Sequence, residues 1–196
     1  RIVVGGNSAG GHLALTTGMI PSSSGLDLGC EVKDELGVAA VINWYGITDV
    51  GDLLQGKNEK SYAVEWMGSL SDRLDVARRV SPLSYVREDL PPIFTIHGDA
   101  DPTVPYQHAI RLHDALTEVG VSNEFHTVPG GLHGRFTRDE MRDMAQQYNL
   151  EFYLRPSYLV KLIFKIRSWY EFKHYAKGGL MVVIWALETK LKPLFN

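Results

Sequence analysis

A serine at the apex of a glycine-flanked turn constrains this chain more than any other feature. Residues 6–10 read Gly-Asn-Ser-Ala-Gly, directly behind the apolar run Ile2, Val3, Val4 and directly ahead of Gly11, His12, Leu13, Ala14 and Leu15. The pattern predicts a strand over 2–5, a sharp turn at Ser8 and a helix over 9–19. In such a turn strand and helix approach so closely that side chains at positions 6 and 10 would collide, which accounts for glycine at both. The turn lifts the Ser8 hydroxyl clear of the strand, where a base can reach it. It also aims N–H groups of a helix start toward the same place. Two plainer readings stand beside this one: an ordinary strand–helix connection and a degenerate nucleotide-binding loop. A phosphate-cradling loop requires Lys and then Ser or Thr after its last glycine, and His12 is no substitute. The pattern Gly-x-Gly-x-x-Gly fails because Asn7 stands where its second glycine should be.

The rest of the chain supplies partners for the hydroxyl. A buried strand is predicted over 92–96, ending at His97 and Gly98 and followed by Asp99, Ala100 and Asp101. Another, over 124–128, runs into Pro129, Gly130, Gly131, Leu132, His133 and Gly134. Ser8, Asp101 and His133 each lie just past the carboxyl end of a predicted strand, and in an open α/β sheet those ends converge on one crevice. A neutral His133 can take the Ser8 proton and return it to a leaving group. An ionised Asp101 fixes the imidazole tautomer and stabilises the imidazolium. With a strand over 38–44, helical segments within 60–80 and helices over 106–119 and 137–153, the alternation is that of an α/β protein with a parallel sheet.

Residues 1–155 resemble the α/β-hydrolase superfamily. Within it they are most similar to bacterial acetyl-esterase and feruloyl-esterase-like proteins, related to prolyl-oligopeptidase-type and hormone-sensitive-lipase-type esterases. The resemblance is carried by 6–12 (Gly-Asn-Ser-Ala-Gly-Gly-His), 43–49 (Asn-Trp-Tyr-Gly-Ile-Thr-Asp), 81–86 (Ser-Pro-Leu-Ser-Tyr-Val), 97–105 (His-Gly-Asp-Ala-Asp-Pro-Thr-Val-Pro) and 131–134 (Gly-Leu-His-Gly). It implies a serine ester hydrolase working through an acyl-enzyme, with Ser8, Asp101 and His133 as the triad in the order Ser, Asp, His. The family's His-Gly-x-x-Asp-x-x-Val-Pro frame places the acid at Asp101; Asp99 is expected to be a turn carboxylate bonding its own backbone. The Ala9 N–H would donate to the oxyanion, and no cofactor is implied. The family's loop at Trp44 and Tyr45 lines the acyl or alcohol pocket, although aromatics at a strand end belong to a core equally often. Small-molecule or carbohydrate esters with acetyl or feruloyl acyl groups are the implied substrates. A prolyl-oligopeptidase-type peptidase and a non-catalytic hydrolase-like fragment are the alternatives.

The resemblance also places about four strands, two helices and a His-Gly-Gly-type oxyanion loop ahead of position 1. On that reading the chain holds a partial α/β-hydrolase fold, a mostly parallel sheet of about four strands with flanking helices that lacks the amino-terminal strands. The strand at 2–5 would be a bare edge, and the isolated chain is expected to be weakly active or inactive.

The other histidines invite plainer readings. His12 is expected to pack rather than to act as a base, and His97 to order the acid loop. His108 and His113, in a helical stretch, are expected to face solvent, and His126 sits within a strand. None has a second ligand at metal spacing, so no metal site is expected. The single cysteine, Cys30, precludes an internal disulfide, and a net charge of −3 argues against a nucleic-acid partner.

Past Pro156 the character changes. Residues 156–196 carry seven Lys/Arg against two Glu, with Leu, Ile, Phe, Trp and Tyr at helical spacing over 158–175 and an apolar run over 180–187. That run is shorter than the roughly 20 residues a bilayer span needs. This tail of unclear origin could be a basic amphipathic helix on a membrane surface, a helix covering apolar surface, or sequence foreign to the family. The last is favoured, and membrane contact is the weaker reading.

Overall fold

The structure, a computed structural model, describes residues 2–26, 37–134 and 136, together with the backbone of 183–186. Apolar runs form β1 (Ile2–Asn7), β2 (Val38–Trp44), β3 (Ile93–Gly98) and β4 (Asn123–Val128). Between them lie α1 (Ala9–Met19), the short helices α2 (Ser61–Met67) and α3 (Arg73–Arg79), and α4 (Gln107–Glu118). The strands pair in parallel in the order β4-β3-β2-β1, which requires the crossover connections the helices provide. The helix expected over 137–153 and the amphipathic stretch 158–175 lie outside the described residues, as does Cys30.

Alternation along the strands sorts two cores. Val4, Val41 and Ile93 face α1 and α4, meeting Ala14, Leu15, Met19, Leu112 and Leu116. Val3, Ala40, Ile42, Trp44, Ile96 and Val128 form the cluster on the opposite face. Both faces of these strands are apolar because a parallel sheet is covered on both sides. A third cluster, including Ile47, Val50, Leu53, Met67 and Val104, holds α2 and the loop after β2 against the loop after β3.

Two expectations fail here. The edge of β1 is not bare: β5 (Val183–Ala186) pairs with it antiparallel, Ile2 opposite Ala186 and Gly5 opposite Val183. An open strand edge is a template for any segment able to extend along it, and the apolar run of the tail takes that place as a strand rather than a helix. His108 and His113 do not face solvent either; they are 0% and 5% exposed. Buried positions 108, 109, 112, 113 and 116 fall on one face of α4, so both imidazoles turn inward with Leu112 and Leu116.

Each buried histidine finds a polar partner. His113 Nδ1 lies 2.7 Å from Asn123 Oδ1, and its ring stacks on Phe125 at 5.1 Å. His108 Nδ1 accepts the Thr48 N–H at 3.2 Å while Nε2 donates to Asp52 Oδ2 at 3.2 Å. Arg111 bridges Asp49 and Asp52 at 2.9 and 3.1 Å, tying the loop after β2 to α4. Burial and then the Arg111 charge lower the His108 pKa from 6.5 to about 4, against the opposing pull of Asp52 and Asp49. The unfolded chain therefore takes up this proton near pH 6.5 while the folded one refuses it until about 4. Stability falls as pH drops through that window, by about 3 kcal/mol from this group, and levels off below it. Replacing His108 by Gln is expected to remove that share of the acid sensitivity, read from denaturant melts at pH 7 and pH 4.5.

Candidate active site

The turn at Ser8 is held from both sides. Its N–H donates to the Trp44 carbonyl at 2.8 Å, extending the β1–β2 ladder, and its carbonyl accepts the His12 N–H at 3.0 Å to open α1. The backbone between is bent to φ 53°, ψ −120°, a region that costs a residue with a side chain about 1–3 kcal/mol. A side chain at position 6 would run into the Gly10 carbonyl, so the tight approach inferred from the two glycines is present. Ala9, the first residue of α1, has an N–H with no intrahelical acceptor, at the positive end of the helix.

His133 reaches this turn from the loop after β4. Its Nε2 lies 2.8 Å from Ser8 Oγ and its Nδ1 lies 2.7 Å from Asp101 Oδ2. An ionised carboxylate only accepts, so Nδ1 carries the hydrogen and Nε2 is free to take one from Ser8. The Asp101 side chain is fully buried. Burial by itself would raise its pKa, but hydrogen bonds from His133, His97 and the N–H groups of Thr103 and Val104 outweigh that and hold the carboxyl far below its usual range. Three residues spread over 125 positions are thus joined in one hydrogen-bonded line.

The acid loop and the His133 loop are laced together. Asp99 accepts the Gly130 N–H at 2.6 Å, so it ties one loop to the other instead of bonding its own turn. Gly98 lies so close to Gly131 that a Cβ there would come within 2.8 Å of the Gly131 Cα and nearer still to its carbonyl. Gly98→Ala is expected to push the two loops apart, lowering stability by about 1–3 kcal/mol. A thermal melt, with the His133–Asp101 proton followed by NMR, checks this. Tyr62 on α2 donates to the Thr103 carbonyl at 3.0 Å, and Lys60 just ahead of α2 donates to the Pro102 carbonyl at 2.8 Å. Burial and the nearby Asp101 charge push the Tyr62 phenol up to about 12.

Trp44 ends β2 and Tyr45 follows it, and both side chains are buried in the sheet's second core cluster. Tyr45 adopts φ 42°, a left-handed turn that Asn43 supports by accepting the Gly46 N–H at 2.9 Å. The Tyr45 ring meets the His133 imidazole edge-on at 4.8 Å, and its hydroxyl accepts from Asn7 at 3.3 Å. Burial raises the Tyr45 pKa; the Asn7 bond opposes this and the Asp101 charge adds to it. Phe136 closes against both aromatics, at 6.3 Å from Trp44 and 5.5 Å from Tyr45. The roles of Asn7, Tyr62 and Phe136 were not legible in the sequence, because their partners lie on other elements. His12 packs as expected, its Nδ1 at 2.9 Å from the Ile47 carbonyl, and burial lowers its pKa against that bond. Among the described residues no group of three or more His, Cys, Asp or Glu could hold a metal ion, and no helix is long and apolar enough to cross a membrane.

Four parallel strands with flanking helices, and a serine turned out between the first strand and its helix, define an α/β-hydrolase. The BD-FAE family model matches residues 1–116, and the chain belongs to that family. The matched stretch contains Ser8 and Asp101, whereas His133 lies beyond it. The chain is 29% identical over 127 residues to the esterase LipQ of Mycobacterium tuberculosis, a match covering 62% of this chain and 29% of LipQ. It is 28% identical over 140 residues to the esterase LipC of the same organism, covering 68% of this chain and 34% of LipC. Apo Thermogutta terrifontis esterase 2 superposes with a TM-score of 0.55 at 29% identity, over 82% of this chain and 55% of that one. Structures of that esterase with propionate and with butyrate bound are similar to the chain in the same way. The chain spans about a third of the length of these curated relatives and about half of the solved esterase.

Proposed function

We propose that this site hydrolyses small carboxylic esters through an acyl-enzyme on Ser8. The observation that carries the reading is the unbroken line from Ser8 Oγ to His133 Nε2 and from His133 Nδ1 to Asp101. Ser8 Oγ attacks the acyl carbon as its proton passes to His133 Nε2, and the imidazolium is stabilised by Asp101. Negative charge gathers on the former carbonyl oxygen, facing the Ala9 N–H at the start of α1. The C–O bond then breaks, and His133 hands its proton to the departing alkoxide. A water deprotonated by His133 attacks the acyl carbon in turn and releases the acid. No step needs a cofactor. Tyr45 backs the imidazole, and with Trp44 beside it is assigned to the lining of the acyl pocket.

The acyl groups are small, of acetyl or feruloyl type, and the alcohols are carbohydrate or small molecules. The propionate and butyrate complexes of the Thermogutta esterase favour the short acyl chain, and membership of the BD-FAE family favours an ester over an amide. The test is labelling with a fluorophosphonate probe, with the modified peptide located by mass spectrometry. It is paired with turnover of p-nitrophenyl acetate, butyrate and octanoate, methyl ferulate and an acetylated oligosaccharide. Label on Ser8 and a preference for acetate or ferulate over octanoate are expected. An unlabelled Ser8 in a folded chain overturns the proposal, and cleavage of prolyl peptides faster than esters overturns the substrate class.

A further inference from the structure

We propose that His97 is a positioning residue for this site: its Nε2–H holds Asp101 Oδ2 and so sets how strongly the carboxylate draws on His133. The inference rests on reading Ser8, His133 and Asp101 as the reacting set. His97 comes from β3 and is fully buried. Its Nε2 lies 3.1 Å from the Val104 carbonyl and 3.2 Å from Asp101 Oδ2. Both are acceptors, so this nitrogen bears a hydrogen shared between them. Nδ1 is buried without a partner. A cationic ring would place a second N–H there, unpaired in the core. His97 is therefore the neutral Nε2–H tautomer.

Packing alone does not call for an imidazole at this position. A phenyl ring would fill much the same space without stranding a nitrogen. The exchange for the stranded Nδ1 is the pair of contacts made by Nε2, and one of them falls on the carboxylate oxygen that also receives His133 at 2.7 Å. The other oxygen, Oδ1, accepts the N–H groups of Thr103 and Val104 at 2.8 and 3.0 Å. Four donors therefore surround Asp101, and its carboxylate cannot turn without losing one. Every donor also withdraws negative charge, leaving less for His133. Taking away the His97 donor makes Asp101 a stronger partner for the imidazolium and raises the pH at which His133 loses its proton.

Among the described residues, the other titratable groups around this pair come from each packed element. Tyr45 follows β2 and meets the His133 edge, and Tyr62 on α2 and the Lys60 ammonium just ahead of it bond the acid loop. Tyr106, just ahead of α4, lies edge-on to His97 at 5.9 Å. Asp99 bonds Gly130 beside the acid, and Ser8 faces His133 itself. Among the described residues, only His97 donates a side-chain hydrogen bond to Asp101 besides His133.

The experiment compares the full chain with His97→Phe, which removes the donor, and with His97→Gln, which keeps an N–H at similar reach. In His97→Phe the acid limb of kcat/KM on p-nitrophenyl acetate is expected to move up by about 0.5–1 pH unit, roughly half of the 1–2 units that a hydrogen bond to a charged group is worth, because the lost donor acts on His133 only through Asp101. Its kcat is expected to fall roughly tenfold with KM little changed, and His97→Gln should return the limb toward wild type. An unmoved limb in an active His97→Phe, or the same shift in both variants, overturns the proposal. Ring 15N shifts of the wild-type protein decide the matter if His97→Phe does not fold. An Nε2–H ring at about pH 8 is required, and an Nδ1–H tautomer overturns it. Fluorophosphonate labelling of wild-type Ser8 keeps the two readings apart. If Ser8 does not react, the proposed function fails, while the NMR titration of His133 in the three proteins still decides the part assigned to His97.

Discussion

Ser8→Ala is expected to remove the Ser8-dependent turnover of p-nitrophenyl acetate, a loss of up to roughly 10⁴–10⁶-fold in kcat/KM that is smaller in proportion if the chain itself turns over slowly, and to abolish fluorophosphonate labelling, since removing the nucleophile of a triad leaves only binding and oxyanion stabilisation. Ser8→Gly should lose as much activity and yet gain stability. The backbone at position 8, with φ 53° and ψ −120°, suits glycine and strains every residue that bears a Cβ. Relief of about 1 kcal/mol would raise the melting temperature by about 2–4 °C in a chain of this size. Alanine keeps the Cβ and gains no such relief. The pair of variants separates the chemistry of the hydroxyl from the strain of the turn that presents it. A Ser8→Gly protein that melts at or below the temperature of Ser8→Ala would show that the turn stores no strain.

Asp101→Asn is expected to cost about 10⁴-fold in kcat and to destabilise the fold as well. The geometry leaves an amide no good orientation. His133 and His97 both donate toward Oδ2, and Thr103 and Val104 both donate toward Oδ1. Wherever the –NH₂ points, donors face donors, and unpaired buried groups cost about 1–3 kcal/mol. If His133 escapes by carrying its hydrogen on Nε2, that hydrogen then points at Ser8 and the base is lost. The pH dependence follows from the depressed pKa. The folded carboxyl titrates below its usual 3.8, so its contribution is present above that value and lost as pH falls through the lower folded one. Asp101→Asn should therefore be less stable than wild type at pH 7, with the gap narrowing as pH drops below about 3.8. Denaturant melts of both proteins at pH 7 and pH 3 measure it; a gap that widens in acid contradicts this account.

How much of this was readable from the sequence varies with the range of the interaction. The bounds of β1, α1, β2, β3 and β4 follow from apolar runs, glycine turns and period, all set within a few residues. Ser8, Asp101 and His133 were findable because each terminates a strand, and parallel strands deliver their carboxyl ends to one side. The histidines of α4 were misread for a related reason. Their spacing is helical, but which face of a helix is buried depends on what the sheet offers it. His108 turns inward because Thr48 and Asp52 wait there, sixty and fifty-six positions away. Pairing of residues 183–186 with β1 was equally invisible, because an apolar run carries no mark of the edge it will join.

The sequence by itself determined the local conformations, above all the turn that glycines 6 and 10 make possible around Ser8, and the order in which hydroxyl, carboxylate and imidazole are strung along the chain. Only the tertiary structure decided which nitrogen of His133 faces which partner, that Asp101 has four donors, and that His97 is one of them. Turns and strands are fixed by sterics between neighbours. Hydrogen-bond partners at the site come from several loops and from β3, and their directions exist only once the sheet has set those segments side by side.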